Sequence, residues 1–124
     1  MAKKILVVDD EQDVITYFTT LLDENGYATR SASNGVEAIT AIREERPDLV
    51  MLDITMPEQS GVKTYRMLKE EKEFEGIPVL IITGIAKDFK NFISTRRQVP
   101  PPEGYLEKPV NPETLTAEVK RLIG

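Results

Sequence analysis

The chain has 124 residues, a length suited to one domain, with 40% apolar and 30% charged side chains and a net charge of −5 from 21 acidic and 16 basic residues. Cysteine and histidine are both absent, which excludes disulfides, thiolate or imidazole metal sites, Ser-His-Asp and Cys-His nucleophiles, and phosphohistidine on this chain. No clustered basic face points to direct nucleic-acid binding, and no apolar run approaches the ~20 residues that cross a membrane.

Short β-branched runs alternate with longer amphipathic stretches. Ile5-Leu6-Val7-Val8, after Lys3-Lys4, is too short for the apolar part of a signal peptide, so a cytoplasmic protein is expected. With Lys4 it forms a buried strand that ends at Asp9-Asp10. Val14, Phe18, Leu21 and Leu22 recur at helical spacing from about Asp13 to Asn25, and Gly26 is a stop. A more polar strand around Tyr27 to Ser31 suits a sheet edge. Asn34 caps a second helix carrying Val36, Ile39 and Ile42, which ends before Pro47. Leu49-Val50-Met51-Leu52 is the third strand and closes on Asp53.

A loop from Ile54 to Ser60 follows, with Pro57 and Gly61 marking turns. The spacing predicts a third helix from about Val62 to Lys72, with Tyr65 and Leu68 in the core. Pro78 to Ile82 is the most apolar strand and runs into Thr83-Gly84. Asp88 caps a short helix with Phe89, Phe92 and Ile93 on one face. Arg96-Arg97 and then Pro100-Pro101-Pro102 cannot extend it and form an extended connection. Gly104 to Glu107 is a fifth strand, and Asn111-Pro112 opens a last helix that reaches about Ile123. Strands and helices in alternation imply an α/β fold, a parallel sheet covered on both faces.

In such a sheet, sites form outside the carboxyl ends of the strands, where strand order reverses. Asp9 and Asp10 follow strand one, Asp53 strand three, Thr83 strand four and Lys108 strand five. Each alone has an ordinary reading as a cap, a turn residue or a solvated lysine. Together they converge on one rim. Three carboxylates there repel one another unless a cation joins them. An all-oxygen donor set favours a hard ion, and Mg²⁺ suits few protein ligands with several waters. Asp53 then has the setting of a carboxylate nucleophile that forms an acyl phosphate, with positive charge supplied by the ion on one side and Lys108 on the other.

Residues 5–10 (Ile-Leu-Val-Val-Asp-Asp), 48–57 (Asp-Leu-Val-Met-Leu-Asp-Ile-Thr-Met-Pro) with Gly61, 81–84 (Ile-Ile-Thr-Gly) and 105–109 (Tyr-Leu-Glu-Lys-Pro) occur in the order and near the spacing of a known family. The chain resembles, over its whole length, the receiver domains of two-component response regulators. The resemblance implies a flavodoxin-like (β/α)5 domain over residues 1–124, a doubly wound five-stranded sheet of order 2-1-3-4-5. It implies Asp53 as phosphoacceptor, Asp10 as direct Mg²⁺ ligand, Asp9 acting through metal-bound water, and the Thr55 backbone carbonyl as a further ligand. Lys108, oriented by a cis bond to Pro109, pairs with the phosphoryl oxygens. Thr83 donates its hydroxyl to the phosphoryl group and Tyr105 rotates inward, so a local charge event biases a two-state surface. The implied donor is a sensor histidine kinase, a phosphotransfer protein or a small acyl phosphate. The implied recipient of the signal is a downstream protein or a fused output domain.

The stretch between Thr83 and Lys108 departs from the family pattern: the fourth helix is cut short and three prolines lead into Glu103-Gly104, so an altered face is expected there. Ile85 and Thr55 fall two residues beyond Thr83 and Asp53, beside the expected path of attacking water. Two other functions remain open at this point. An aspartyl-nucleophile phosphatase is disfavoured because Asp53-Ile54-Thr55 has no second acid two residues on. An unphosphorylated interaction module is disfavoured because a scaffold has no need of a costly acidic cluster. The expectation is a switch and not an enzyme, either stand-alone or part of a longer regulator.

Overall fold

The structure, a computed structural model, describes residues 2–54, 60–84 and 102–124, with Ser60 described in its backbone only. The short helix expected after Asp88, Arg96-Arg97, Pro100-Pro101, Thr55 and Ile85 lie outside those residues. The described elements are β1 (Lys4–Val8), α1 (Gln12–Glu24), β2 (Ala28–Ala32), α2 (Gly35–Glu44), β3 (Leu49–Asp53), α3 (Ser60–Glu70), a 3-10 turn at Lys72–Phe74, β4 (Val79–Thr83), β5 (Gly104–Glu107) and the C-terminal helix α4 (Pro112–Ile123). The five strands form one parallel sheet in the order β2-β1-β3-β4-β5.

Alternation along the inner strands divides the core in two. Leu6, Val8, Val50, Leu52 and Ile81 pack with Ala38, Ile39 and Ile42 of α2 and with Tyr65 and Leu68 of α3. Ile5, Val7, Met51, Leu80 and Ile82 pack with Ile15, Phe18 and Leu22 of α1 and with Leu115 and Val119 of α4. Both faces are covered, so β1, β3 and β4 are apolar at nearly every position, whereas β2, at the edge, exposes most of its residues.

Two helical faces differ from the sequence expectation. In α1 the buried stripe is Ile15, Phe18 and Leu22, with Val14 and Leu21 only half-buried on its flanks. In α2 Val36 is 79% exposed, while Ala38, Ile39, Ala41 and Ile42 are buried. That stripe is centred near Ala38 and Ile42, and at 3.6 residues per turn Val36 lies roughly 130° round the helix from it. The small alanines define the inward face.

The ends of the helices follow local chemistry. Asn34 Oδ1 accepts the Glu37 N–H at 2.8 Å, and the Glu37 carboxylate accepts from the Ser33 N–H and hydroxyl, each at 3.0 Å. This reciprocal cap satisfies the first turn of α2. Asn111 Oδ1 accepts the Thr114 N–H at 2.7 Å, with Pro112 in the first helical position of α4. At the end of α1 the Tyr27 N–H donates to the Leu22 carbonyl and the Gly26 N–H to the Asp23 carbonyl, each at 3.1 Å. That pair of bonds turns the chain through Gly26 at φ +89°.

A β-carbon at Gly26 would meet nothing within 4 Å, so only its backbone conformation opposes a side chain. Gly26→Ala is therefore expected to cost about 1–2 kcal/mol, read as a lower urea midpoint with an unchanged m-value.

Candidate functional site

The strand register sets the site. Val8 pairs with Ala32 and Leu52, Asp53 with Ile82, and Thr83 with Glu107. The carboxyl ends of β1, β3, β4 and β5 therefore lie together at one rim. Asp9 continues β1 by one residue, its N–H donating to the Ala32 carbonyl at 3.1 Å. The Lys108 N–H continues β5 in the same way, donating to the Thr83 carbonyl at 2.8 Å. The Lys108–Pro109 peptide is cis, as the resemblance implies.

One oxygen from each of Asp9, Asp10 and Asp53 lies within 4.8 Å of the others. Asp9 and Asp53 are buried, at 1% and 2% exposure, and Asp10 faces solvent. Lys108 Nζ lies 3.1 Å from Asp9 Oδ2 and 3.2 Å from Asp53 Oδ2. The other Asp9 oxygen accepts the Glu11 N–H at 3.0 Å, so both Asp9 oxygens are engaged. Glu11 N–H is a contributor that side-chain reasoning missed; an aspartate three residues before a helix start is its only sequence signal.

Burial holds the Asp9 carboxyl above its ordinary pKa, opposed by the Glu11 N–H, reinforced by the charge on Asp53 and again opposed by Lys108. Burial alone would lower the Lys108 pKa; Asp53 and Asp9 outweigh it and the net shift is upward. Burial thus drives the Asp9 shift, and the two facing carboxylates drive that of Lys108. The site fits a hard divalent cation on its own chemistry: clustered carboxylate oxygens, with no histidine or cysteine anywhere in the chain.

Thr83 is fully buried at the end of β4, beside the strand that carries Asp53. Tyr105 is half-buried on β5 and, like Val62 and Met67, packs against the cluster that holds Tyr65 and Ile81. Its hydroxyl donates to Glu107 Oε1 at 3.1 Å. Burial first, and then this bond and charge, push the phenol up to about 12. Glu107 was not expected in the site; residues two apart on a strand share a face, which is the signal that could have found it. Thr55, expected to give its carbonyl to a metal, lies outside the described residues.

Gly61, expected as a turn marker, lies inside α3. A β-carbon there would collide with the Asp53 carbonyl oxygen and would lie 2.5 Å from Ile54 Cα. The start of α3 thus rests directly on the backbone of the candidate phosphoacceptor. Its glycine is required by close approach and not by a turn.

A doubly wound parallel sheet with this carboxylate–lysine rim is a flavodoxin-like domain of the chemotaxis-regulator kind. The chain belongs to the response regulator receiver domain family, which matches residues 5–120, and is thus a receiver domain of two-component signalling. It is 34% identical to the polar-differentiation response regulator DivK of Brucella anthropi, across 100% of this chain and 98% of that protein. It is 32% identical to the alkaline phosphatase synthesis transcriptional regulatory protein PhoP of Bacillus subtilis, across 99% of this chain and 49% of PhoP, so it spans about half of that relative. The chemotaxis protein CheY4 of Vibrio cholerae superposes with a TM-score of 0.85 at 26% identity, covering 98% of this chain and 99% of CheY4.

Two substitutions probe the site. Gly61→Ala is expected to lower unfolding free energy by about 1–3 kcal/mol from overpacking, despite the better helix propensity of alanine; urea denaturation measures it. Asp10→Asn removes a carboxylate that has no ion pair among the described residues. It is expected to raise stability in EDTA by up to about 1 kcal/mol and to abolish most of the added stability that millimolar Mg²⁺ gives the wild type.

Proposed function

We propose that Asp53 accepts a phosphoryl group from the phosphohistidine of a sensor histidine kinase or phosphotransfer protein, or from a small acyl phosphate, and that this switches a protein-interaction surface. The convergence of Asp9, Asp10, Asp53 and Lys108, drawn from stretches up to 99 residues apart, is the observation that carries this reading. Asp53 is the nucleophile: one carboxylate oxygen forms the new bond to phosphorus as the bond to the donor breaks. Lys108, already within hydrogen-bond reach of Asp53, meets the negative charge on the phosphoryl oxygens.

Mg²⁺ is the ion that best suits Asp10, Asp53 and the Thr55 carbonyl, and when bound it neutralises both the carboxylates and the incoming phosphoryl group. The engagement of both Asp9 oxygens with Glu11 and Lys108 supports a role for Asp9 through water rather than direct ligation. Thr83 is the hydroxyl that binds the phosphoryl group, and Tyr105 is the side chain whose environment changes with it. The chain assists only its own phosphorylation and dephosphorylation and turns over no external substrate. It works in the cytoplasm, where its phosphodonors are, and passes the signal to a downstream protein or to a fused output domain. No helix among the described residues is long and apolar enough to cross a membrane.

Acetyl phosphate with Mg²⁺ is expected to add the mass of one phosphoryl group to the wild type. Asp53→Asn, or EDTA with the wild type, is expected to add none. Intact mass spectrometry reads all three. A wild type that stays unmodified with Mg²⁺ and either acetyl phosphate or a phosphorylated histidine donor removes the switch and leaves an interaction module.

A further inference from the structure

The described end of the proline-rich stretch is Pro102-Glu103-Gly104. Glu103 is the meeting point of four elements. Its carboxylate oxygens accept from Lys69 Nζ of α3 at 2.6 and 2.7 Å. One of them also accepts the backbone N–H of Val79, the first residue of β4, at 2.8 Å. Its backbone carbonyl accepts from Arg121 Nη2 of α4 at 3.0 Å.

The β4–β5 ladder begins one residue later, at Leu80 and Gly104. The Glu103 side chain thus serves the Val79 N–H where a further strand residue would have offered a carbonyl. The pair with Lys69 is sheltered on the lysine side, while the Glu103 side chain is 41% exposed. The Lys69 side chain is 9% exposed and its ammonium sits 5.9 Å from the ring centroid of Tyr65, itself fully buried. Gly104 leaves no slack beside it. A β-carbon there would lie 2.9 Å from Leu80 Cδ1 and 3.0 Å from both Glu118 Oε1 and Leu122 Cδ1.

Two rigid elements leave this junction for the site at the opposite end of the sheet. β5 runs four residues and delivers Lys108 to Asp53, about 16 Å away at the usual rise per residue. α3 carries Lys69 in its last turn, and its Gly61 end rests on the Asp53 and Ile54 backbone. The contacts close a ring: Asp53, α3, Lys69, Glu103, β5, Lys108 and back to Asp53. We infer that Lys69 and Glu103 are positioning residues, which fix β5 lengthwise against α3 and so set where the Lys108 ammonium stands relative to Asp53. The consequence for phosphoryl transfer rests on the proposed function; the mechanical claim does not.

The test uses amide hydrogen exchange on the whole chain, with Glu103→Ala, Glu103→Gln and Lys69→Met. Glu103→Ala is expected to speed exchange roughly tenfold or more at Val79 and also at Lys108, whose N–H bonds to Thr83, while Val7 and Ala38, whose N–H bonds to Asn34, keep their rates. Glu103→Gln retains an acceptor for Val79 and is expected to protect that amide while Lys108 loosens; Lys69→Met is expected to behave likewise. Phosphorylation by acetyl phosphate at saturating Mg²⁺ is expected to slow by roughly 2- to 30-fold in all three. Faster exchange at Val79 with Lys108 unchanged overturns the inference, as does an equal loss of protection at every amide. If the wild type takes no phosphoryl group the proposed function fails, and the exchange results still decide the positioning claim.

Discussion

Asp9 and Asp53, buried side by side at the ends of neighbouring strands, share the single ammonium of Lys108. Taking such charges out of water is costly, and their mutual attraction returns little net stability unless every partner is well placed. Here the balance is worse than for a simple pair, because Asp10 adds a third carboxylate. The cluster therefore costs stability, and the two hydrophobic layers that flank the sheet must offset it. Strands apolar at nearly every position, covered by α1 and α4 on one side and α2 and α3 on the other, are what allow a rim this acidic to stay folded.

Parallel pairing explains why the groups meet at all. Every strand points the same way, so every carboxyl end reaches the same rim, and a residue placed just past an apolar run arrives there without further instruction. For that reason the candidate site was legible: Asp9, Asp10, Asp53 and Thr83 close apolar runs that read as strands, and Lys108 follows Tyr105-Leu106-Glu107 at the end of another. The fold was legible on the same grounds, and the strand order came with the family resemblance.

What the sequence withheld depends on pairs or on shape. Periodicity alone gave Val36 a core position because it ignored Ala38 and Ala41, whose small side chains let α2 approach the sheet. Ile15 was passed over for Val14 by a one-residue error in phase, enough to turn a helix face by about 100°. Gly61 looks like a turn residue and Gly104 like an ordinary strand start, yet each is a place where one element presses on another and a β-carbon has no room. Glu103 and Lys69 stand 34 residues apart, and nothing local in either segment says that they meet.

The two ends of β5 then carry different duties on one short strand. Glu103 ties its start to α3, β4 and α4, and Lys108 ties its finish to the carboxylates. Tyr105 lies between them, on the face shared with Glu107 and packed on the cluster formed by α2 and α3. A four-residue strand hydrogen-bonded in register cannot stretch, so a change in the pull on Lys108 has few outlets. It can shift the whole strand against its anchor, or turn the half-buried aromatic side chain of Tyr105. With Glu103 held by three partners the first outlet is expensive. On the proposed reading, the aromatic ring and its bond to Glu107 are therefore where a phosphoryl group at Asp53 would reach the surface at the lowest cost.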